Sequence, residues 1–325
     1  MDPFGRLTNS ASINWQSLRS VKRENGMIKI ANAPCSWGAL EFELDGQAPD
    51  YVQVLDEIVE TGYAGTELGD WGFMPTDPKQ LSHEIHKRNL LLLGAFVPVF
   101  LKDPASHETG IEVALRTARL MASVEGDLPV IVLADENGRV PERKNNAGRV
   151  TPEMGLNDAE WQIFAEGATK VAETVKKETG LRTAFHHHCA GYAETPAEIA
   201  KLMSLTDPSM LGLVFDCGHY RFGGGDPVEG LRKYGKRVWH FHFKDYHPGV
   251  GKQVAENGWD YFQALRRGVF CELGRGEVDF PSLMKELENI DYDGWGVVEQ
   301  DVLPGMGQPK ESAKRNRDYI RSLGY

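Results

Sequence analysis

Cysteine is scarce and scattered. Cys35, Cys189, Cys217 and Cys271 form no C-x-x-C pair and are too few to staple a chain of 325 residues, which excludes a disulfide scaffold and fits a reducing cytoplasm. Long apolar runs are missing as well. The longest, near residues 90–101 and 128–134, fall short of the roughly 18 residues a membrane span needs. Positive charge is in deficit: 36 basic residues against 47 acidic ones leave a formal charge of -11. The averaged field therefore repels phosphate backbones and anionic lipid, and no nucleic-acid partner is expected. Neither an internal repeat nor a low-complexity linker occurs. Residues 1–26 lack the apolar stretch of about 7 to 15 residues that a signal peptide carries; they read as a disordered leader or an expression remnant, with a mitochondrial presequence as the alternative. Residues 27–325 read as one domain.

What is present is alternation. From Met27 onward, short β-rich apolar runs are separated by amphipathic stretches, the order expected when each parallel strand is joined to the next by a helix. The strands predicted are Ile28–Ala33, Gly65–Leu68, Leu90–Phe96, Val130–Leu133, Thr183–His186, Leu211–Phe215, Val238–Phe243 and Gly296–Glu299. Asp77-Pro78, Thr195-Pro196 and Asp226-Pro227 are capping residues followed by proline at the first helical position. Gly62 and Gly180 are expected to end their helices. Eight β/α units in about 300 residues favour a closed (β/α)8 TIM barrel over a doubly wound sheet. The first strand also leads into Asn32-Ala33-Pro34 rather than a glycine-rich dinucleotide turn. Two long intervals, Ala134–Asn157 and Tyr246–Gly276, are read as lids or rims over a site.

In such a barrel the active groups sit at the carboxyl ends of the strands. There the chain carries Glu67, His186-His187-His188, Asp216-Cys217-Gly218-His219, His240 through Asp245, and Glu299-Gln300-Asp301. Strand alternation sends His186 and His188 one way and His187 the other, and groups His240, His242 and Lys244. Imidazole and carboxylate are costly on an inward face unless paired or bound to something. Four such strand ends would therefore suit a divalent cation. Glu67 has the alternative of pairing with a histidine, and Lys244-Asp245 that of a plain ion pair. His83, His86, His107 and His247 are read as ordinary polar residues, and Asp70-Trp71-Gly72, Trp239 and Trp295 as core or rim.

At these residues the chain resembles the sugar phosphate isomerase and epimerase superfamily built on the xylose isomerase-like TIM barrel, and within it the inosose (2-keto-myo-inositol) dehydratase branch. The likeness runs from Ile28 to the C-terminus. It is carried by Asn32 through Gly38, Glu67-Leu68-Gly69 with Pro75 through Pro78, Phe185 through His188, Phe215 through His219, His242 through Asp245 and Val298 through Asp301.

The resemblance implies a metal held by His186, Asp216, His242 and Glu299, with His186 standing where the superfamily has a glutamate. That departure removes the first carboxylate base of the isomerases. Mn2+ or Co2+ is the expected ion, with Zn2+ or Mg2+ as alternatives. The implied activity is a lyase dehydrating a cyclic polyhydroxy ketone in inositol catabolism, with a keto-sugar isomerase or epimerase, or a noncatalytic sugar-binding barrel, as rivals. Loss of a β-hydroxyl requires loss of the α proton, so His188 or His219 is expected as base or acid, Glu299 as alternative base and Lys244 as a hold on the enolate or a hydroxyl. Asn32, Trp37, Glu67, Lys244 and Asp245 are expected to face the substrate. Partners are then a small keto sugar and, as one option, further copies of the chain.

Overall fold

The computed structural model describes residues 28–39, 49–126 and 129–325; the leader expected over residues 1–26 lies outside them. Among the described residues, strands and helices alternate along most of the chain. The chain runs β1 (Lys29–Asn32), α1 (Tyr51–Glu60), β2 (Gly65–Glu67), α2 (Pro78–His86), β3 (Leu91–Val99), α3 (His107–Ala122), β4 (Val130–Asp135), α4 (Pro141–Asn145), α5 (Asp158–Thr179) and β5 (Arg182–His186). It continues through α6 (Pro196–Leu205), β6 (Leu211–Asp216), α7 (Cys217–Phe222), α8 (Pro227–Tyr234), β7 (Val238–Phe243), β8 (Asp245–Tyr246), α9 (Pro248–Asn257), α10 (Tyr261–Arg266), β9 (Phe270–Cys271), α11 (Phe280–Asn289), β10 (Trp295–Val298) and α12 (Pro309–Ser322).

Eight parallel strands close in the order β1-β10-β7-β6-β5-β4-β3-β2, while β8 and β9 pair separately. All eight predicted strands are present, each within three residues of its expected ends. The helix starts follow from their caps. The Asp77 carboxylate accepts from the Gln80 N–H at 2.9 Å, Asp226 accepts from Val228 and Glu229, and Thr195 with Glu198 forms a reciprocal capping box. Gly180 closes α5 in the left-handed conformation at φ 75°.

Alternation divides the apolar residues into two layers. Outward-facing Phe185, Leu213, Phe215 and Phe241 join Val54, Leu55 and Ile58 of α1 in the main core. Inward-facing Val130, Val132, Ala184 and Val214 form a smaller cluster. Trp239 packs with that inner cluster because the ladder slips between β6 and β7, from Leu213 opposite Val238 to Val214 opposite His240. Gly212 leaves room for it: a Cβ there would stand 2.2 Å from the indole. The two long intervals are structured rims. Val254, Tyr261 and Leu265 pack with Ala147, Cys189, Phe222 and Phe270 as a satellite core beside the mouth.

Candidate metal centre and catalytic pocket

Strand register assembles the site. β6 and β7 set Asp216 opposite His242, β5 ends at His186, and Glu299 follows β10, its N–H donating to the Phe243 carbonyl at 3.0 Å. One ligand atom from each of His186, Asp216, His242 and Glu299 lies within 4.8 Å of the others, and all four residues are buried. Asp216 is shared between two tasks. Its Oδ1 accepts from the His219 N–H at 2.8 Å and caps α7, while its Oδ2 stands 3.6 Å from His186 Nε2 and 3.8 Å from His242 Nδ1. Glu299 Oε2 lies 3.4 Å from the same His242 nitrogen.

Buried His186 Nδ1 and Nε2, Asp216 Oδ2 and His242 Nδ1 lack hydrogen-bond partners among the described residues. Three of these, His186 Nε2, Asp216 Oδ2 and His242 Nδ1, face one another, and unsatisfied buried polar atoms so placed are expensive unless something fills the space between them. Coordination bonds of about 2.0–2.2 Å match this spread and this mixture of nitrogen and oxygen donors. The residues present therefore fit a divalent cation.

Below the cluster, Glu67 Oε1 receives His240 Nε2 at 2.7 Å and His242 Nε2 at 3.0 Å. Burial pushes the Glu67 carboxyl up, but His242 and His240 outweigh it and hold it far below the usual range. Burial likewise opposes the Glu299 carboxylate and the His242 imidazolium. His242 and Lys244 nevertheless bring Glu299 down to about 2, and Glu299 and Glu67 hold His242 well above its ordinary value. The set behaves as one block of compensating charge.

The cluster opens into a pocket lined among others by Pro34, Cys35, Glu67, Asp70, Phe96, His186, His188, Lys244, Tyr261, Glu299 and Asp301. Lys244 is buried there with its ammonium 3.3 Å from both Glu299 and Asp301. Burial disfavours its charge, yet Asp301 and Glu299 keep it firmly protonated. His188 Nδ1 is 2.8 Å from the Cys189 carbonyl; a carbonyl only accepts, so Nδ1 carries the hydrogen and Nε2 presents a lone pair. Burial, with lesser contributions from His186 and Lys244, pulls His188 down to about 3. The imidazole is neutral around neutrality.

Several expected site residues lie elsewhere. His219 stands behind His188, ring centroids 4.0 Å apart, with Nδ1 accepting from the Cys189 N–H at 3.2 Å; it does not line the pocket. Trp37 is buried and its indole N–H donates to Glu57 of α1 at 2.7 Å, which makes it an anchor for that helix. Asp245 accepts backbone N–H groups of Tyr246, Gly274, Gly276 and Val278, organising a loop instead of pairing with Lys244. Asn32 Oδ1 accepts from Ala33 N–H at 2.8 Å, and its side chain also stays outside the pocket wall. His187 points away from the mouth, packed against Phe215 and Tyr220. His107 bonds the Leu101 carbonyl and His247 caps α9. Asp301 stands among the strand-end residues of the sequence without a role of its own, and Tyr261 is not singled out there. Two-residue spacing from Glu299 marks the first; no sequence signal marks the second, which enters on the Tyr246–Gly276 interval.

A closed parallel barrel with imidazoles and carboxylates converging at its carboxyl-end mouth defines the class, a (β/α)8 enzyme-type barrel. The chain belongs to the xylose isomerase-like TIM barrel family, whose model matches residues 55–323, and within it is inosose dehydratase-like. It is 30% identical to an inosose dehydratase of Clostridium botulinum over 91% of this chain and 97% of that one. An inosose dehydratase of Geobacillus kaustophilus is 31% identical, over 91% and 94%. Among solved structures, a probable 3-DHS dehydratase of Bacillus anthracis matches with TM-score 0.66 at 16% identity, covering 91% of this chain and 99% of that chain. A 3-keto-D-glucoside 4-epimerase of E. coli matches with TM-score 0.63 at 17% identity, covering 92% and 99%. At these identities the structural matches speak to the fold. No described helix is long and apolar enough to cross a membrane.

Proposed function

We propose that this chain is a metal-dependent hydro-lyase that removes water from a cyclic polyhydroxy ketone of the inosose type. The observation that carries the reading is that His188, its Nδ1 bound to the Cys189 carbonyl, and Lys244 line one pocket beside the His186–Asp216–His242–Glu299 set. The inosose dehydratase relatives supply the substrate class.

Two imidazoles and two carboxylates suit Mn2+ or Co2+. A cation held there supplies positive charge beside a ketone oxygen, which makes the neighbouring carbon acidic. The chain's own groups do the rest. His188 accepts the α proton at Nε2, its tautomer fixed by the Cys189 carbonyl. Lys244, held by Glu299 and Asp301, donates to the oxygen on which negative charge develops. Phe96, Pro34 and Tyr261 wall the ring of the substrate off from water. His186, Asp216, His242 and Glu299 would hold the cation, and Glu67 holds His242. The absence of a glutamate at position 186 weighs against a two-carboxylate proton shuttle, and with it against an isomerase. Four free cysteines suit a cytoplasmic setting.

The test is the product formed by Mn2+-loaded protein from 2-keto-myo-inositol deuterated at the α carbon. Loss of water with release of deuterium to solvent supports the reading. A product that keeps all its oxygens, with or without the deuterium, would assign the chain to the isomerases instead.

A further inference from the structure

His188 has a neighbour on the rim, Tyr261. Tyr261 is the first residue of α10, and its position is set by a capping box in which Asp260 accepts from the Gln263 N–H and the Gln263 side chain accepts from the Asp260 N–H. The ring is 1% exposed, packs into the satellite core and meets His188 edge-on, centroids 5.6 Å apart at 69°. Its hydroxyl lies 3.5 Å from His188 Nε2, and the residue lines the pocket. The tautomer decides the direction of that contact. Since Nδ1 donates to the Cys189 carbonyl, Nε2 accepts, and the tyrosine hydroxyl is the donor.

We propose that Tyr261 is the catalytic acid paired with His188, delivering the proton that lets the hydroxyl leave as water. This rests on the dehydratase reading above and deepens it. The balance closes within the pocket. The α C–H bond breaks, its proton bonds to His188 Nε2, and its electron pair becomes the new carbon–carbon double bond. The Tyr261 hydroxyl turns from Nε2 onto the leaving oxygen, the β C–O bond breaks, and the departing oxygen takes the phenolic proton. The tyrosinate then recovers a proton from His188 Nε2 across the same contact. One ketone has become one unsaturated ketone and one water, and both side chains are reset. Because both groups occupy one side of the pocket, the proton and the hydroxyl leave from the same face of the ring. Lys244 is a poorer candidate for this acid, since its ammonium is held between Glu299 and Asp301.

The experiment compares wild type and Tyr261→Phe, both loaded with Mn2+, on 2-keto-myo-inositol in D2O. Water loss is followed by mass, and deuterium is measured in the ketone recovered before completion. Phenylalanine keeps the ring and its packing. Water loss by the variant should fall at least about 10²-fold with unchanged metal content and melting temperature. Deuterium should meanwhile enter the recovered ketone faster than without protein, since His188 still removes the α proton and solvent returns it. Dehydration near the wild-type rate overturns the assignment. Loss of exchange together with dehydration also overturns it, because Tyr261 then only positions His188. A wild type that exchanges deuterium but never loses water instead removes the dehydratase reading itself, and the assignment with it.

Discussion

Glu67 Oε1 stands 3.0 Å from His242 Nε2, and this contact decides which face of the imidazole the cluster sees. With Nε2–H committed to the carboxylate, Nδ1 is turned to Asp216 and Glu299. Carboxylates in this position fix ring orientation and raise ligand basicity. Glu67→Gln should therefore weaken Mn2+ binding by about 10–100-fold without abolishing it, as read by calorimetric titration. Unchanged affinity would show that His242 is oriented by other means.

Asp216 allows the ligand role to be separated from the structural one. Asp216→Asn can keep an oxygen toward the His219 N–H and so the cap of α7, whereas Asp216→Ala also gives up the cap, about 1 kcal/mol. The asparagine variant should lose stoichiometric metal, measured by elemental analysis, while its circular dichroism stays that of the wild type. Full metal retention would remove Asp216 from the ligand set.

His186→Glu replaces a nitrogen donor with an oxygen donor in the same shell. Divalent binding should persist with preference shifted toward harder cations such as Mg2+, measured by competition between Mg2+ and Co2+. An unchanged preference would mean His186 does not reach the ion.

The barrel was legible because each of its strands is a β-rich apolar run bounded by proline, glycine or a capping residue, and because alternation alone predicts that His186 and His188 share a direction opposed to His187. The ends were less so: β3 continues through Pro98 to Val99, opposite Ala134 and Asp135, although proline reads as a strand terminator. Which side chain meets which was not legible where loops decide it. Trp37 reaches Glu57 across twenty residues, Asp245 gathers N–H groups from a turn about thirty residues on, and Tyr261 arrives at His188 from a separate rim. Periodicity is a property of one element, and these contacts are made between elements.

A second buried charge network lies beside the site and has its own pH signature. Glu194 accepts N–H groups of Ala190 and Gly148 near the buried Arg143–Glu198 pair, and it anchors the turn in which Ala190 and Ala193 adopt positive φ. Burial lifts Glu194 to about 7, against the opposing pull of Arg143 and the two N–H donors; a free glutamate lies near about 4.3. The folded state thus binds this proton more tightly. Its contribution to stability is complete below the unfolded value and is lost as pH rises through about 7. Glu194→Gln sets an amide NH2 against an N–H donor and should cost about 1–3 kcal/mol. The stability difference between wild type and variant, followed by denaturant titration, should shrink between pH 5 and pH 8. A constant difference would show that Glu194 does not change protonation between pH 5 and pH 8.

Turnover of His188→Ala on 2-keto-myo-inositol is the sharpest test of whether His188 takes the α proton. The geometry at Nε2 predicts a fall in kcat of about 10²–10⁴-fold, with KM and bound Mn2+ close to wild type, as for a group acting mainly in the transition state. Turnover within about twofold of wild type would contradict it.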